Sequence, residues 1–274
     1  MVATFSAHVR GAARLGYIRL GAGPPLLLVQ GTAATYLHWG RRLLSSLAES
    51  FDVVAYNHRG VGDSAPVSGP FTVPELADDA AGLLDALGWR QVHVVGVSMG
   101  GLVAQELVLR HPARVESLFL GCTHTGGTGS KSVVPEALAS AIVEGDPAAT
   151  LRNVFRLGVK DPVRVRPGAW EEYRGAALAQ PVDPWTTTLQ ISASATHTTA
   201  DRLRHICVPT HVVHGDGDRV VSIETGRRLA AGIHGSDFTS LAAGHLFWLE
   251  QPERVAALIR AGAPGLLEGG SRHS

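Results

Sequence analysis

The run "VHVVGVSMGG", residues 92–101, constrains the fold more than any other feature of this chain. A β-branched strand, Val92–Val97, gives way at Ser98 to an apolar helical pattern over Met99–His111, which Pro112 stops. A further strand, "VESLFLG", follows at once. The same alternation runs upstream. Residues 8–29 read as short strands with glycine turns, the last being "PLLLV" at Pro25–Val29. A helix is expected over Tyr36–Ser50 and a strand over Phe51–Asn57. In "TVPELADDAAGLLDALG", Leu76, Ala80, Leu83, Leu84 and Leu87 recur at helical spacing and Gly88 ends the helix. Strands that alternate with helices and read as nearly continuous apolar runs predict an α/β fold with a mostly parallel sheet, covered on both faces.

The rhythm breaks between Thr123 and Asp201, where no strand pattern occurs. Helices are expected there around Pro135–Glu144, Ala148–Leu157, Ala169–Leu178 and Thr186–Ala195, separated by Gly and Pro. Strands and helices resume with "CVPTHVVHGDGD", then a helix over Ile223–Ala231, a strand "DFTSL" and a helix over Pro252–Ala261. The predicted organisation is a core of residues 1–122 and 202–274 with a helical cap at 123–201. The 24 basic and 24 acidic residues balance, so the chain has no basic footprint for nucleic acid and no polybasic patch for a membrane. No charged segment followed by an apolar run opens it, and no stretch reaches transmembrane length. Its two cysteines, Cys122 and Cys207, form neither a disulfide framework nor a metal cluster, which leads us to expect a cytoplasmic setting. Assembly state leaves no mark in these features.

Gly96-Val97-Ser98-Met99-Gly100 sits where a serine nucleophile would need it, between a strand and a helix. Small residues at 96 and 100 permit the sharp turn, and the Met99 amide belongs to the free N–H groups of a helix start. On this stretch alone, a serine in a structural turn is the plain alternative. A serine hydroxyl needs a base, and the base needs a partner that holds its tautomer. Catalytic groups of open α/β sheets collect beyond the carboxyl ends of strands. Of thirteen histidines, His245 meets that test, in a loop after the last strand. His93 stands near the start of its strand, at the wrong end, and His214 is a weaker competitor. Asp216 and Asp218 both follow a strand, and spacing alone does not separate them.

These residues resemble the α/β-hydrolase superfamily over essentially the whole chain. The likeness is carried by "PPLLLVQGTAATYLHW", "FDVVAYNHRGVGDSAP", "VHVVGVSMGGLVAQELVLRHPARVESLFLGC", "PTHVVHGDGDRVVSIETGRRLA" and "AGHLFWLEQPERVAALI". Among capped members the chain is similar to small-molecule esterases, enol-lactonases and haloperoxidase-like enzymes. The resemblance implies Ser98 as nucleophile, His245 as base and Asp218 as the acid. It implies oxyanion amides at Thr32 and Met99, and it requires no metal or organic cofactor. One departure stands out: Gln30-Gly31 occupies a place where the family commonly has His-Gly. In "NHRGVGDS" neither phosphate-binding glycine pattern is present, and Arg59 is expected to brace the loop.

The partner expected is a small-molecule ester or lactone, largely hydrophobic, with no nucleic acid and no membrane. Gln30, Trp170, Trp185 and Phe247 are the pocket candidates, with Phe155, Tyr173, His38 and Trp248 near them; core packing is the plain alternative for each aromatic. A carbon–carbon hydrolase acting on a vinylogous diketone would use the same scaffold. So would a ligand-binding protein that keeps only the fold. Dehalogenase and epoxide-hydrolase chemistry is disfavoured, because those relatives attack with aspartate.

Overall fold

The computed structural model describes residues 3–9, 14–127 and 139–263. Its strands are β1 (Thr4–Ala7), β2 (Leu15–Leu20), β3 (Pro25–Val29), β4 (Asp52–Tyr56), β5 (Val92–Val97), β6 (Val115–Gly121), β7 (Thr210–Gly215) and β8 (Asp237–Leu241). They form one sheet in the order β1-β2-β4-β3-β5-β6-β7-β8. The β1–β2 and β2–β4 pairs are antiparallel; every pairing from β4–β3 to β7–β8 is parallel. Burial explains this pattern. Along β3, Leu27 and Val29 join one apolar cluster while Leu26 and Leu28 join the other, and all four are fully buried. Both faces must therefore be covered, as a parallel sheet requires.

Helices α1 (Arg41–Ala48), α2 (Val73–Ala86) and α3 (Met99–Arg110) supply the crossovers up to β6. α2 begins at a capping box in which Thr72 and Glu75 exchange bonds with each other's backbone N–H. Leu76, Leu83 and Leu84 from α2 and Leu102, Val103 and Leu107 from α3 cover one face of the sheet. Leu43 and Leu47 from α1, with Val255 and Ile259, cover the other. The single helix expected over Tyr36–Ser50 is two pieces, a 3-10 turn at Tyr36–Trp39 and then α1. Gly40 divides them at φ 75°, a conformation that an apolar periodicity does not register.

Between β6 and β7 lie the cap helices α4 (Pro147–Gly158), α5 (Ala169–Ala179) and α6 (Pro184–Ala195). The helix expected over Pro135–Glu144 lies partly outside the described residues; the described part is helical at 139–141. After β7 come α7 (Ile223–Gly232), a one-turn helix α8 (Phe247–Glu250) and α9 (Pro252–Ala261). The connection after β3 runs to β4 on one side and that after β5 runs to β6 on the other, so the chain leaves these two neighbouring strands in opposite directions. That switch point opens a crevice at the carboxyl ends of β3 and β5.

The crevice depends on a close contact. A Cβ at Gly100 would lie 2.2 Å from the Val29 carbonyl oxygen and 2.5 Å from that of Gln30. Both obstacles are backbone, so neither can turn aside. Gly100→Ala is therefore expected to destabilise the fold by about 2 kcal/mol or more, seen as a lowered midpoint in chemical denaturation. An unchanged midpoint would show that the helix start is not pinned to β3.

Candidate active site

Ser98 is the one residue between β5 and α3, and its backbone is at φ 54°, ψ −124°. This is the left-handed side of the map, costly for any residue with a Cβ. The surroundings hold it there: Ser98 N–H donates to the Gly121 carbonyl at 3.0 Å, and the Thr123 hydroxyl donates to the Ser98 carbonyl at 2.7 Å. Gly96 gives the room, since a Cβ on it would lie 2.4 Å from the Gly100 carbonyl. Met99 opens α3, where a backbone N–H has no acceptor within the helix. Among the described residues, three non-glycine residues have positive φ: Ala33 after β3, Ser98 after β5 and Cys122 after β6. All three flank the crevice.

His245 and Asp218 arrive from the loops after β8 and β7. Asp218 Oδ2 lies 2.8 Å from His245 Nδ1, and the carboxylate side chain is fully buried. Its other oxygen accepts the Val220 and Val221 amides at 2.8 and 2.9 Å. His214 Nε2 lies 3.3 Å from Oδ2 and 2.9 Å from the Val221 carbonyl. The competitor histidine thus braces the Asp218 carboxylate. Asp216 instead pairs with Lys160 Nζ at 2.6 Å, exposed to solvent. Burial works against the Asp218 charge, but His245 and His214 outweigh it and hold the carboxyl well below its ordinary range. Burial likewise works against a charged His245, and Asp218 reverses the outcome, raising its pKa well above 6.5. The neighbouring His38 and His124 have no such carboxylate, and burial lowers both to about 4.

Ser98 and His245 line one cavity of about 120 Å³. Gln30, Thr32, His38, Tyr173, Leu246 and Trp248 are also in its wall. No hydrogen bond joins Ser98 to His245 among the described residues; His245 Nε2 has Cys122 Sγ at 4.0 Å. Serine–histidine bonds often tighten only when substrate arrives. The other pocket candidates lie elsewhere. Trp170 stacks on Tyr173 and lies tilted against Phe155, Trp185 is 54% exposed, and Phe247 is buried against Gly121. Val154, Leu157 and Leu246 also line the cavity; helical periodicity marks only the first two, as one face of α4, and no local pattern marks Leu246. Arg59 makes a two-pronged pair with Asp79, both bonds 2.7 Å, which is the bracing expected of it.

A family model described as alpha/beta hydrolase fold matches residues 24–252. The chain belongs to this family. It is 30% identical to a poly(3-hydroxyalkanoate) depolymerase of Ectopseudomonas oleovorans, over 92% of this chain and 87% of that one. It is 28% identical to a 2-hydroxymuconate semialdehyde hydrolase of Pseudomonas sp. (strain CF600), over 87% and 86% of the two chains. The crystal structure of an enol-lactonase from Burkholderia xenovorans LB400 matches with a TM-score of 0.81 at 25% identity, covering 94% of this chain and 99% of that one.

Two other features of this alpha/beta hydrolase invite comparison with the crevice. His93 Nδ1 meets Ser117 Oγ at 2.8 Å, and His93 Nε2 lies 3.8 Å from Glu116. That Ser–His–Glu grouping sits within β5 and β6 near their starts, at the opposite end of the sheet from the strand-to-helix turn. Its cavity is about 10 Å³, too small for a substrate. A larger groove of about 870 Å³ runs between α1, β2 and α5, and neither Ser98 nor His245 touches it. Donor atoms of Cys122, Asp218 and His245 lie within 4.8 Å of one another. Asp218 and His245 satisfy each other directly, and two amides take the remaining carboxylate oxygen, so this is a bonded pair beside a thiol rather than an open metal site. No described helix is long and apolar enough to cross a membrane.

The electrostatics can be checked by NMR. His245 is expected to keep its proton to a pH above 6.5, and Asp218→Asn to bring the midpoint down; an unmoved midpoint would count against the pair. The Asp218 contribution to stability is complete above its unfolded value of 3.8 and is lost as pH falls toward its lower folded value.

Proposed function

We propose that this chain is a serine hydrolase that cleaves an ester or lactone of a small, largely apolar molecule through an acyl-enzyme on Ser98. One observation carries the reading: Ser98, held at a positive-φ turn, opens onto the same cavity as a histidine whose Nδ1 is fixed by a buried carboxylate. Above its raised pKa, with Nδ1–H donated to Asp218, the neutral imidazole presents a lone pair at Nε2.

His245 takes the Ser98 proton as Oγ attacks the carbonyl carbon. The oxyanion lies between the amides of Thr32 and Met99. His245, now charged and stabilised by Asp218, returns the proton to the leaving oxygen and the alcohol departs. Water, deprotonated by the same imidazole, then attacks the acyl-enzyme, and collapse of the second tetrahedral species releases the acid and Ser98. Every proton in this cycle passes through one nitrogen, and the cycle uses no metal or organic cofactor.

We assign the cap to residues 123–201. Gly126 and Thr198 form an isolated antiparallel bridge that closes its base, with Gly127 N–H donating to the His197 carbonyl at 2.8 Å and Thr199 N–H to that of Thr125 at 2.8 Å. Apolar side chains of α4, Val154 and Leu157, and the Tyr173 ring of α5 form the cap's share of the wall, which favours an apolar acyl group. The two cysteines are free, a pattern that suits a reducing, cytoplasmic compartment.

A second reading, hydrolysis of a carbon–carbon bond next to a ketone, draws on the likeness to the 2-hydroxymuconate semialdehyde hydrolase. A panel of short-chain esters, lactones and vinylogous diketones separates the two readings. Turnover of esters or lactones is expected to exceed that of diketones, and Ser98→Ala is expected to lower it by about three orders of magnitude or more. A fluorophosphonate should label Ser98 and no other residue. Ester turnover that survives in Ser98→Ala would remove the serine from the mechanism.

A further inference from the structure

We propose that Gln190, on cap helix α6, is a positioning residue that aims the Thr32 amide at the reaction centre, with Gln30 as its counterpart in the core. The inference rests on the serine-hydrolase reading, in which the Thr32 N–H binds the oxyanion.

The loop after β3 presents three successive amides, those of Gly31, Thr32 and Ala33. Gly31 N–H donates to Gln30 Oε1 at 3.1 Å, and Ala33 N–H donates to Gln190 Oε1 at 2.8 Å. The outer two amides are thereby taken, and the Thr32 N–H between them has no acceptor among the described residues. Both glutamine side chains are held in one orientation. Rotating either amide by half a turn would set an NH₂ group against a backbone N–H, donor against donor. The cost of that orientation is visible: Nε2 of Gln30 and Nε2 of Gln190 are buried and have no hydrogen-bond partner among the described residues. Two glutamines, one at each side of a three-residue loop, leave good donors unmatched so that their oxygens can meet backbone amides.

The loop has little freedom besides. A Cβ at Gly31 would lie 2.9 Å from Ser98 Cβ, so this backbone packs directly on the nucleophile's side chain. Ala33 is held at φ 55°, and the Gln190 bond anchors its amide in that conformation. Gln190 is fully buried and comes from the cap, 157 residues along the chain. The cap is therefore part of the machinery that places the oxyanion donor as well as a roof over the acyl group. A cap displaced by one hydrogen bond leaves Ser98, Asp218 and His245 untouched and lets the Thr32 amide swing.

Gln180 provides the control. It also ties the cap to the core, donating from Nε2 to the Tyr36 hydroxyl at 2.8 Å and accepting from Asn57 Nδ2 at 3.1 Å, but among the described residues no hydrogen bond joins it to residues 31–33. The experiment compares Gln190→Met, which keeps the bulk and loses the acceptor, with Gln180→Met, using the full-length protein and an ester that wild type turns over and Ser98→Ala does not. Gln190→Met is expected to lower kcat by about 10- to 100-fold, less than outright loss of an oxyanion donor. KM should change by less than about threefold, because uniform binding is unaffected. Affinity for a trifluoromethyl ketone, which adds to the serine and forms the oxyanion, should fall by the same factor as kcat/KM. The pH profile should stay in place, since His245 and Asp218 are not disturbed.

Gln180→Met should leave kcat and ketone affinity within about threefold of wild type, as expected for a contact outside the reaction centre. Gln190→Asn, which withdraws the oxygen by one methylene, is expected to show the same loss and serves where the Met variant does not fold. The proposal fails if folded Gln190 variants keep wild-type kcat and ketone affinity. It fails equally if the two Met variants lose the same factor, which would reveal general loosening of the cap. Either result would leave the Ser98 reading intact, because that reading is tested by Ser98→Ala alone.

Discussion

The approach of Gly100 to the end of β3 governs the rest of the structure. Without a side chain at that position, α3 starts in contact with the Val29 and Gln30 carbonyls. This draws together the two chain segments that leave the switch point of the sheet, the loop 30–34 and the Ser98 turn. Ser98 is then held at φ 54° by packing and by two bonds at the end of β6, not by any preference of serine. Strain of this kind persists only where the surroundings over-determine it. Here β3, β6 and α3 all do so, and the positive φ of Ala33 and Cys122 at adjacent strand ends belongs to the same crowded edge.

Charge placement follows from the same edge. A buried carboxylate would be expensive alone, and Asp218 meets that cost with two backbone amides and two imidazoles. The consequence is a sorting of histidines by environment. His38 and His124 lie close by, are similarly buried, and are kept neutral by desolvation. Of these three, His245 alone has an anion against Nδ1, so it can accept a proton and hold it briefly where the other two resist protonation. Proximity to the serine would not by itself choose among them; the position of one carboxylate does.

The cap and core meet through polar side chains as well as apolar ones. Gln180 ties α5 to the turn containing Asn57 and Asp63, and Gln190 ties α6 to the loop after β3. Trp248 Nε1 donates to the His38 carbonyl at 2.8 Å, joining the His245 loop to the same region. These bonds connect segments that are distant in sequence, and they surround a cavity whose wall is otherwise mainly apolar. Hydrogen bonds fix direction where apolar packing fixes only proximity, so they are the contacts that can set an amide to within a few tenths of an ångström.

Much of this was legible from residues alone. The limits of β3, β5 and β6 coincide with largely apolar or β-branched runs that strand formation on a two-sided sheet demands. The Ser98 turn was legible because a strand, a glycine on each side and a helix occur in immediate succession. The break at Gly40 was not, since Leu43, Leu44 and Leu47 continue a periodicity that ignores the backbone angle of one glycine. Nor could residue spacing alone separate Asp216 from Asp218, which stand two apart on one turn: the family likeness favoured Asp218, and in space Lys160 meets the first and His245 the second. The pocket aromatics show the same limit, for Trp170, Trp185 and Phe247 have the right chemistry but point to other neighbours. Local sequence determines what is decided by near neighbours, namely strands, helices and the sharp turn at Ser98. Which histidine meets which carboxylate, and that a cap glutamine reaches the loop after β3, was decided only by tertiary structure, because those contacts join residues 27 and 157 positions apart.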